Sequence, residues 1–179
     1  MNLLAAQEQH PEVLSQLAST LRRLPAAVAV PILPTLLQRS ELLEDRHIPL
    51  LVWWAVEGHC GVGFEELSPH VGVRIPQDVD RSLAPRERVV KLLEDPQLWR
   101  QPLVEQWLLR RLMQRFALES VLERERAAPE VESSMSSMQA CVRLFELAPS
   151  AEHSELLMGG FLEAYEGRPI QELPPALAE

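Results

Sequence analysis

Apolar residues recur at helical spacing along most of the chain. From Pro11 to Leu24, Leu14, Leu17, Leu21 and Leu24 fall on one stripe, which predicts an amphipathic helix. Pro11 suits its first turn and Pro25 ends it. A second helical segment is expected from about Ala26 to Arg39, where Pro31 and Pro34 remove backbone donors and should kink or shorten it. These two segments read as one helical hairpin. A third helix starts near Asp45, a suitable N-cap, takes Pro49 close to its first turn and stops at Gly58.

That third segment, HIPLLVWWAVEG, contains nine consecutive uncharged residues, Ile48 to Val56. The run is shorter than the roughly 20 residues that a membrane-spanning helix needs. Successive helical side chains point about 100° apart, so Trp53 and Trp54 cannot share a face. A helix apolar on all sides is a buried one. This element is therefore expected in the middle of a stack, with a neighbour on each side.

Past Gly58 the period disappears until Ala84. The stretch holds four of the seven glycines and reads as a long loop insertion, with a brief extended piece at Val71 to Ile75. Helical spacing returns at Pro85 with Val89, Val90, Leu92 and Leu93, and breaks at Asp95-Pro96. Pro102 opens the clearest helix, which carries Leu103, Trp107, Leu108, Leu112 and Phe116. Leu118 to Ser134 is charged, contains Pro129 and reads as a fraying helix end and a linker. Two last helices span about Met135 to Leu147 and Glu152 to Glu166, and the proline-rich tail at 167–179 is expected to drape over them. About seven helices, paired by short links, describe one all-α domain over residues 1–179. Periodicity alone does not separate a stacked α-solenoid from an irregular bundle.

Composition supports the helical reading: seven glycines and one tyrosine are few for a sheet protein, while good helix formers dominate. The net charge of -9 repels phosphate backbones and argues against a nucleic-acid partner. Cys60 and Cys141 form no CxxC or CxxCH site and do not fix a redox compartment. The opening residues MNLLAAQEQHPEV lack the basic and apolar regions of a signal peptide, so the chain as given is expected to be soluble, without direct membrane insertion.

A search for chemistry finds no HExxH, no Gly-rich phosphate loop and no GxSxG, so no catalytic residue, cofactor or metal ligand is expected. His59 beside Cys60 reads as a loop pair with an inert thiol, because adjacent loop side chains rarely face each other. His47, next to Glu44 and Asp45, reads as a first-turn histidine, the alternative being a carboxylate-oriented imidazole. His153 likewise reads as a first-turn residue. Arg110, Arg111 and Arg115 form a cationic cluster that either pairs with neighbouring glutamates or docks an acidic partner. Trp53, Trp54, Trp99 and Trp107 suit core packing, or else a ligand pocket. The expected core is Leu17, Leu21, Ile48, Leu51, Trp53, Trp54, Trp107, Leu108 and Leu112. Gly159 and Gly160 within a helical run cost about 1 kcal/mol each relative to alanine, which the close approach of another helix would explain.

The blocks HPEVLSQLASTLRRLP, HIPLLVWWAVE, EDPQLWRQPLVEQWLLRRLMQRFA, CVRLFELAP and GRPIQELPPALA occur in this order. Their series resembles the helical region of the planctomycete-type membrane-bound dehydrogenases, also called PVC-type haem-binding CxxCH proteins. The similarity covers most of the chain outside 58–84. It implies HEAT-like hairpins stacked as a short right-handed α-solenoid. In that family such repeats join a β-propeller to a cytochrome c module, and the larger proteins are exported. Neither module stands in these residues, and Arg46 replaces a proline common in the family. The resemblance thus implies a non-catalytic scaffold or connector whose partners are proteins. These would be other domains of a dehydrogenase/cytochrome assembly, or a second copy meeting an uncapped solenoid end near His10 to Leu24. The alternative reading is a helical domain that binds a cofactor or small ligand through the Trp53/Trp54 helix and His47.

Overall fold

The computed structural model describes residues 2–61, 83–125 and 135–168. They are helical throughout, with no strand among them. The extended piece expected at Val71 to Ile75, most of the 58–84 insertion, Pro129 and the proline-rich tail lie outside the described residues.

A short helix α1 (Asn2–Gln7) precedes the first expected element. Helix α2 (Pro11–Leu21) is capped by His10, whose Nδ1 accepts from the Glu12 N–H. It buries Leu14, Leu17, Ala18 and Leu21 and ends one turn before Pro25. The proline-rich segment then breaks as its composition requires. Helix α3 (Ala26–Ala29) gives way to a 3-10 turn at Val30–Ile32, and helix α4 (Leu33–Leu37) resumes beyond it. Arg39 follows and donates Nη1 to the carbonyls of Ala5 and Glu8, closing the open end of α1.

Helix α5 (Ile48–Glu57) carries the uncharged run. Asp45 Oδ1 accepts from the N–H groups of His47 and Ile48 at 2.7 and 2.9 Å, which satisfies orphan donors of the first turn. Helices α6 (Pro85–Leu92) and α7 (Pro96–Trp99) occupy the next expected span, α7 starting where Asp95 Oδ1 accepts from Gln97 N–H. The helix opened by Pro102 contains one wide π turn at Val104–Leu108 and continues as α8 (Leu109–Glu125). Residues 118–125, expected to fray, are therefore regular helix. Helix α9 (Ser137–Leu147) begins with a capping box between Ser136 and Gln139, and α10 (Ala151–Ala164) is capped by Ser150.

The helices contact one another in two ordered series. In one, α2 packs on α5, α5 on the π turn before α8, and α8 on α10. In the other, α3 and its 3-10 turn pack on α6, and α6 packs on α9. Three of these pairs, α2/α5, α8/α10 and α6/α9, run the same way. The end of α2 meets the end of α5 through His59 Nε2 and the Leu21 carbonyl, 3.0 Å apart. Arg110 on α8 pairs with Glu163 on α10, while further along Ser120 reaches Tyr165. Arg86 at the start of α6 donates to the Met135 carbonyl just before α9, and Glu94 past the end of α6 pairs with Arg143.

The tightest approach is α8 against α10. Gly160 is buried, and a Cβ placed there would collide with the backbone carbonyl of Arg110. The helical glycine is thus a spacing device, as its cost in propensity requires.

Most of the expected core is buried: Leu17, Leu21, Ile48, Trp53, Leu108 and Leu112 are each no more than 8% exposed. Leu51 and Trp107 are half-buried. Trp54 is not core, for it stands 38% exposed. The third helix is therefore not enclosed on every side. The 100° step from Trp53 to Trp54 turns the second indole outwards, where the Arg22 guanidinium lies 5.9 Å from its ring.

Two substitutions test this packing. Trp53→Ala should destabilise by about 3–5 kcal/mol, and Trp54→Ala by clearly less, in denaturant titrations of both variants. Equal losses would mean the two indoles are equally enclosed. Gly160→Ala should lower the melting midpoint sharply while Gly159→Ala, whose Cβ would meet only the Arg110 guanidinium at 3.5 Å, should change it little.

Candidate interaction surface

The exposed face of the α2/α5 pair holds a notch of about 140 Å³ lined by Ser19, Arg22, Arg23, Leu51 and Trp54. Helix register creates it. Ser19, Arg22 and Arg23 are three and four residues apart at the end of α2, and Leu51 and Trp54 are one turn apart on α5. Arg22 and Arg23 are exposed, and neither is in an ion pair among the described residues. The end of α2 favours positive charge through its dipole, which accounts for the arginines' position but leaves both heads open to solvent.

His47 does not join this notch. It is exposed at the opposite end of α5, seven residues from Trp54 and so about 10 Å of helical rise away. Its backbone N–H is held by Asp45, whose carboxyl lies below its ordinary value because it accepts from His47 and Ile48. The Trp53/Trp54/His47 grouping of the ligand-binding alternative is thus split three ways: one indole inside, one in the notch, and the imidazole elsewhere.

The arginine cluster also separates. Arg110 pairs with Glu163 at 2.6 Å, and Arg115 pairs with Glu119 one turn along α8. Arg111 lies 4.3 Å over the Trp107 ring and donates to the Trp107 carbonyl. Three guanidiniums with three different partners do not make one docking patch. The Arg110 pair is exposed, and such pairs contribute little to stability.

Two buried polar centres lie elsewhere, and only the second, His153, was singled out by the sequence. Arg86, 3% exposed, donates to the Cys60 carbonyl (3.1 Å), the Met135 carbonyl (2.8 Å) and Glu123 Oε1 (2.9 Å). Glu123 in turn accepts from the N–H and hydroxyl of Ser137. Nothing in the local pattern RERVVKL marks Arg86 as internal, because its partners lie 26 to 49 residues away. His153, the first-turn residue of α10, places Nδ1 2.7 Å from Ser150 Oγ and Nε2 3.2 Å from the Trp99 carbonyl. Its ring also stands edge-on to Trp99, and Glu105 lies 3.4 Å from Nε2. This is a helix start pinned to α7, with both ring nitrogens occupied. Among the described residues no group of His, Cys, Asp and Glu could hold a metal ion, and no helix is long and apolar enough to cross a membrane.

Both cysteines are buried thiols. Cys60 directs Sγ to the Val56 carbonyl, while His59 faces Leu21, so the adjacent pair does not meet as thiolate and imidazole. Burial pushes each thiol from the ordinary 9.0 up to about 12. Below pH 9.0 folded and unfolded chains both keep these protons. Between 9.0 and about 12 the unfolded chain releases them first, so stability falls as pH rises. A thiol reagent such as 5,5'-dithiobis(2-nitrobenzoate) at pH 8 should leave the folded chain unmodified and label two thiols after denaturation; rapid labelling of the native protein would contradict this environment. No family model, curated protein or solved structure matches the chain.

Proposed function

We propose that this chain is a non-catalytic HEAT-like scaffold, a short α-solenoid that positions partner proteins. The observation that carries the reading is the two-series order of the helices. The set α2, α5, α8, α10 and the set α3, α6, α9 each stack in chain order, and the pairs α2/α5, α8/α10 and α6/α9 are parallel. Stacked helical hairpins generate that order, because each A helix meets the next A helix and each B helix the next B. An up-and-down bundle would set sequential helices antiparallel around a shared axis instead.

Exposed apolar residues on α1 and on the outermost helices of the first series, α2 and α10, support the same reading. Leu3 and Leu4 on α1 are 72% and 44% exposed, Val13 on α2 is 37% exposed, and Leu162 on α10 is 52% exposed. Leu162 lies two residues, or about 200°, from Gly160, so it points away from α8. Solenoid end faces with apolar side chains suit contact with another protein layer. The relationship to the helical region of the planctomycete-type dehydrogenases belongs to the same proposal. It would make that layer a neighbouring module of a dehydrogenase/cytochrome assembly or a second copy.

Light scattering over a range of concentrations tests the end faces. The apparent mass should rise with concentration, and Leu3→Glu with Leu4→Glu should return it to the monomer value. A mass fixed at the monomer value throughout would count against the reading.

A further inference from the structure

We propose that the notch between α2 and α5 docks an acidic peptide segment of a partner protein, one that presents a carboxylate beside an apolar side chain. The proposal depends only on the packing of α2 against α5, and it stands whether or not the helices form a solenoid.

Charge complementarity is the first argument. The chain carries -9 overall, and Arg39, Arg86, Arg110, Arg115 and Arg143 each have a carboxylate partner. Arg22 and Arg23 have none among the described residues, and no acidic side chain lines the notch. A guanidinium fork pairs with a carboxylate through two parallel N–H···O bonds, so the free positions suit a glutamate or aspartate.

The second argument is apolar. Trp54 is 38% exposed beside a half-buried Leu51, an arrangement that leaves costly surface in water. Arg22 covers the indole only at 5.9 Å, so a partner's aliphatic side chain can still reach the ring. Tryptophan and arginine are the residue types that most often dominate binding energy at protein interfaces. The third argument is size. The notch of about 140 Å³ takes one or two side chains, whereas pockets for cofactors span roughly 300–1,000 Å³.

The test is a calorimetric titration of the full chain with a capped peptide of alternating glutamate and leucine, beside a matched lysine–leucine peptide. Saturable binding of the glutamate peptide alone is expected, weakening as salt is added. Arg23→Glu should weaken it by about tenfold. The double variant Arg22→Glu, Arg23→Glu should transfer the preference to the lysine peptide. Trp54→Ala should weaken binding without changing which peptide is preferred. Both arginines are exposed, so melting midpoints of the charge variants should match the parent; if one does not, Arg22→Gln with Arg23→Gln replaces it. Failure of the parent to bind the glutamate peptide, or equal binding by the double variant, would overturn the proposal. Binding of a single-stranded oligonucleotide that Arg23→Glu abolishes would overturn it in favour of a nucleic-acid site.

Discussion

The described parts of this fold depend on one buried cation. Arg86 reaches across the interior and joins the carbonyl after α5, the carboxylate of Glu123 on α8 and the carbonyl that precedes α9. A guanidinium this deep would be prohibitively costly if bare. Here each of its nitrogens has an acceptor, so desolvation is offset by charge-assisted bonds. The asymmetry matters more than the gain. Removing Glu123 would leave the cation with two carbonyl acceptors and no counter-charge, which destabilises, whereas an aliphatic replacement of the whole network could be tolerated. The network therefore contributes register more than net stability: it fixes which turn of α6 faces which turn of α8 and α9.

Arg86 and Gly160 solve complementary problems. The first sets alignment through directional bonds; the second sets distance by having no side chain. Between them α8 becomes the shared wall of the molecule. It meets α10 closely through Gly160, receives α9 through Glu123 and Ser137, and carries Leu109, Leu112, Met113 and Phe116 into one continuous core. The π turn at Val104–Leu108 lies at the start of this wall, where α5 and α7 also press against it. Widening the helix there shifts the following side chains around the axis relative to a regular 3.6-residue turn.

Helix existence was legible because it rests on local physics. Leucine stripes, prolines at first turns and the caps Asp45, Asp95 and Ser150 all act within four residues. The break at Pro31 and Pro34 and the first-turn place of His153 follow from the same short-range rules, and the cost of a helical glycine pointed to the close approach found at Gly160. What failed was long-range. Trp54 looked buried because its own helix is apolar throughout, yet exposure is decided by what the opposing helix supplies. Opposite Trp54, α2 supplies arginines rather than leucines. The cluster of Arg110, Arg111 and Arg115 left two readings open in the sequence, ion pairs or a docking patch, and the long-range contacts separate them. Adjacent in sequence, the three fan out around the helix, and each meets a different neighbour.

That failure at Trp54 also bears on function. A chain with no misplaced apolar group could be explained by folding alone. Here one indole stands 38% exposed although the helix has interior positions on its other sides, and among the described residues of an acid-rich protein the two arginines beside it have no carboxylate partner. Each feature separately is ordinary, since exposed aromatic residues and unpaired surface arginines are common. Their convergence on one notch is less so, because both leave surface that a single partner can satisfy. An acidic partner would desolvate the indole and supply the missing carboxylate together, and neither contact requires the main chain of α2 or α5 to move. A rigid platform of this kind loses little conformational freedom on binding, so more of the contact energy remains as affinity.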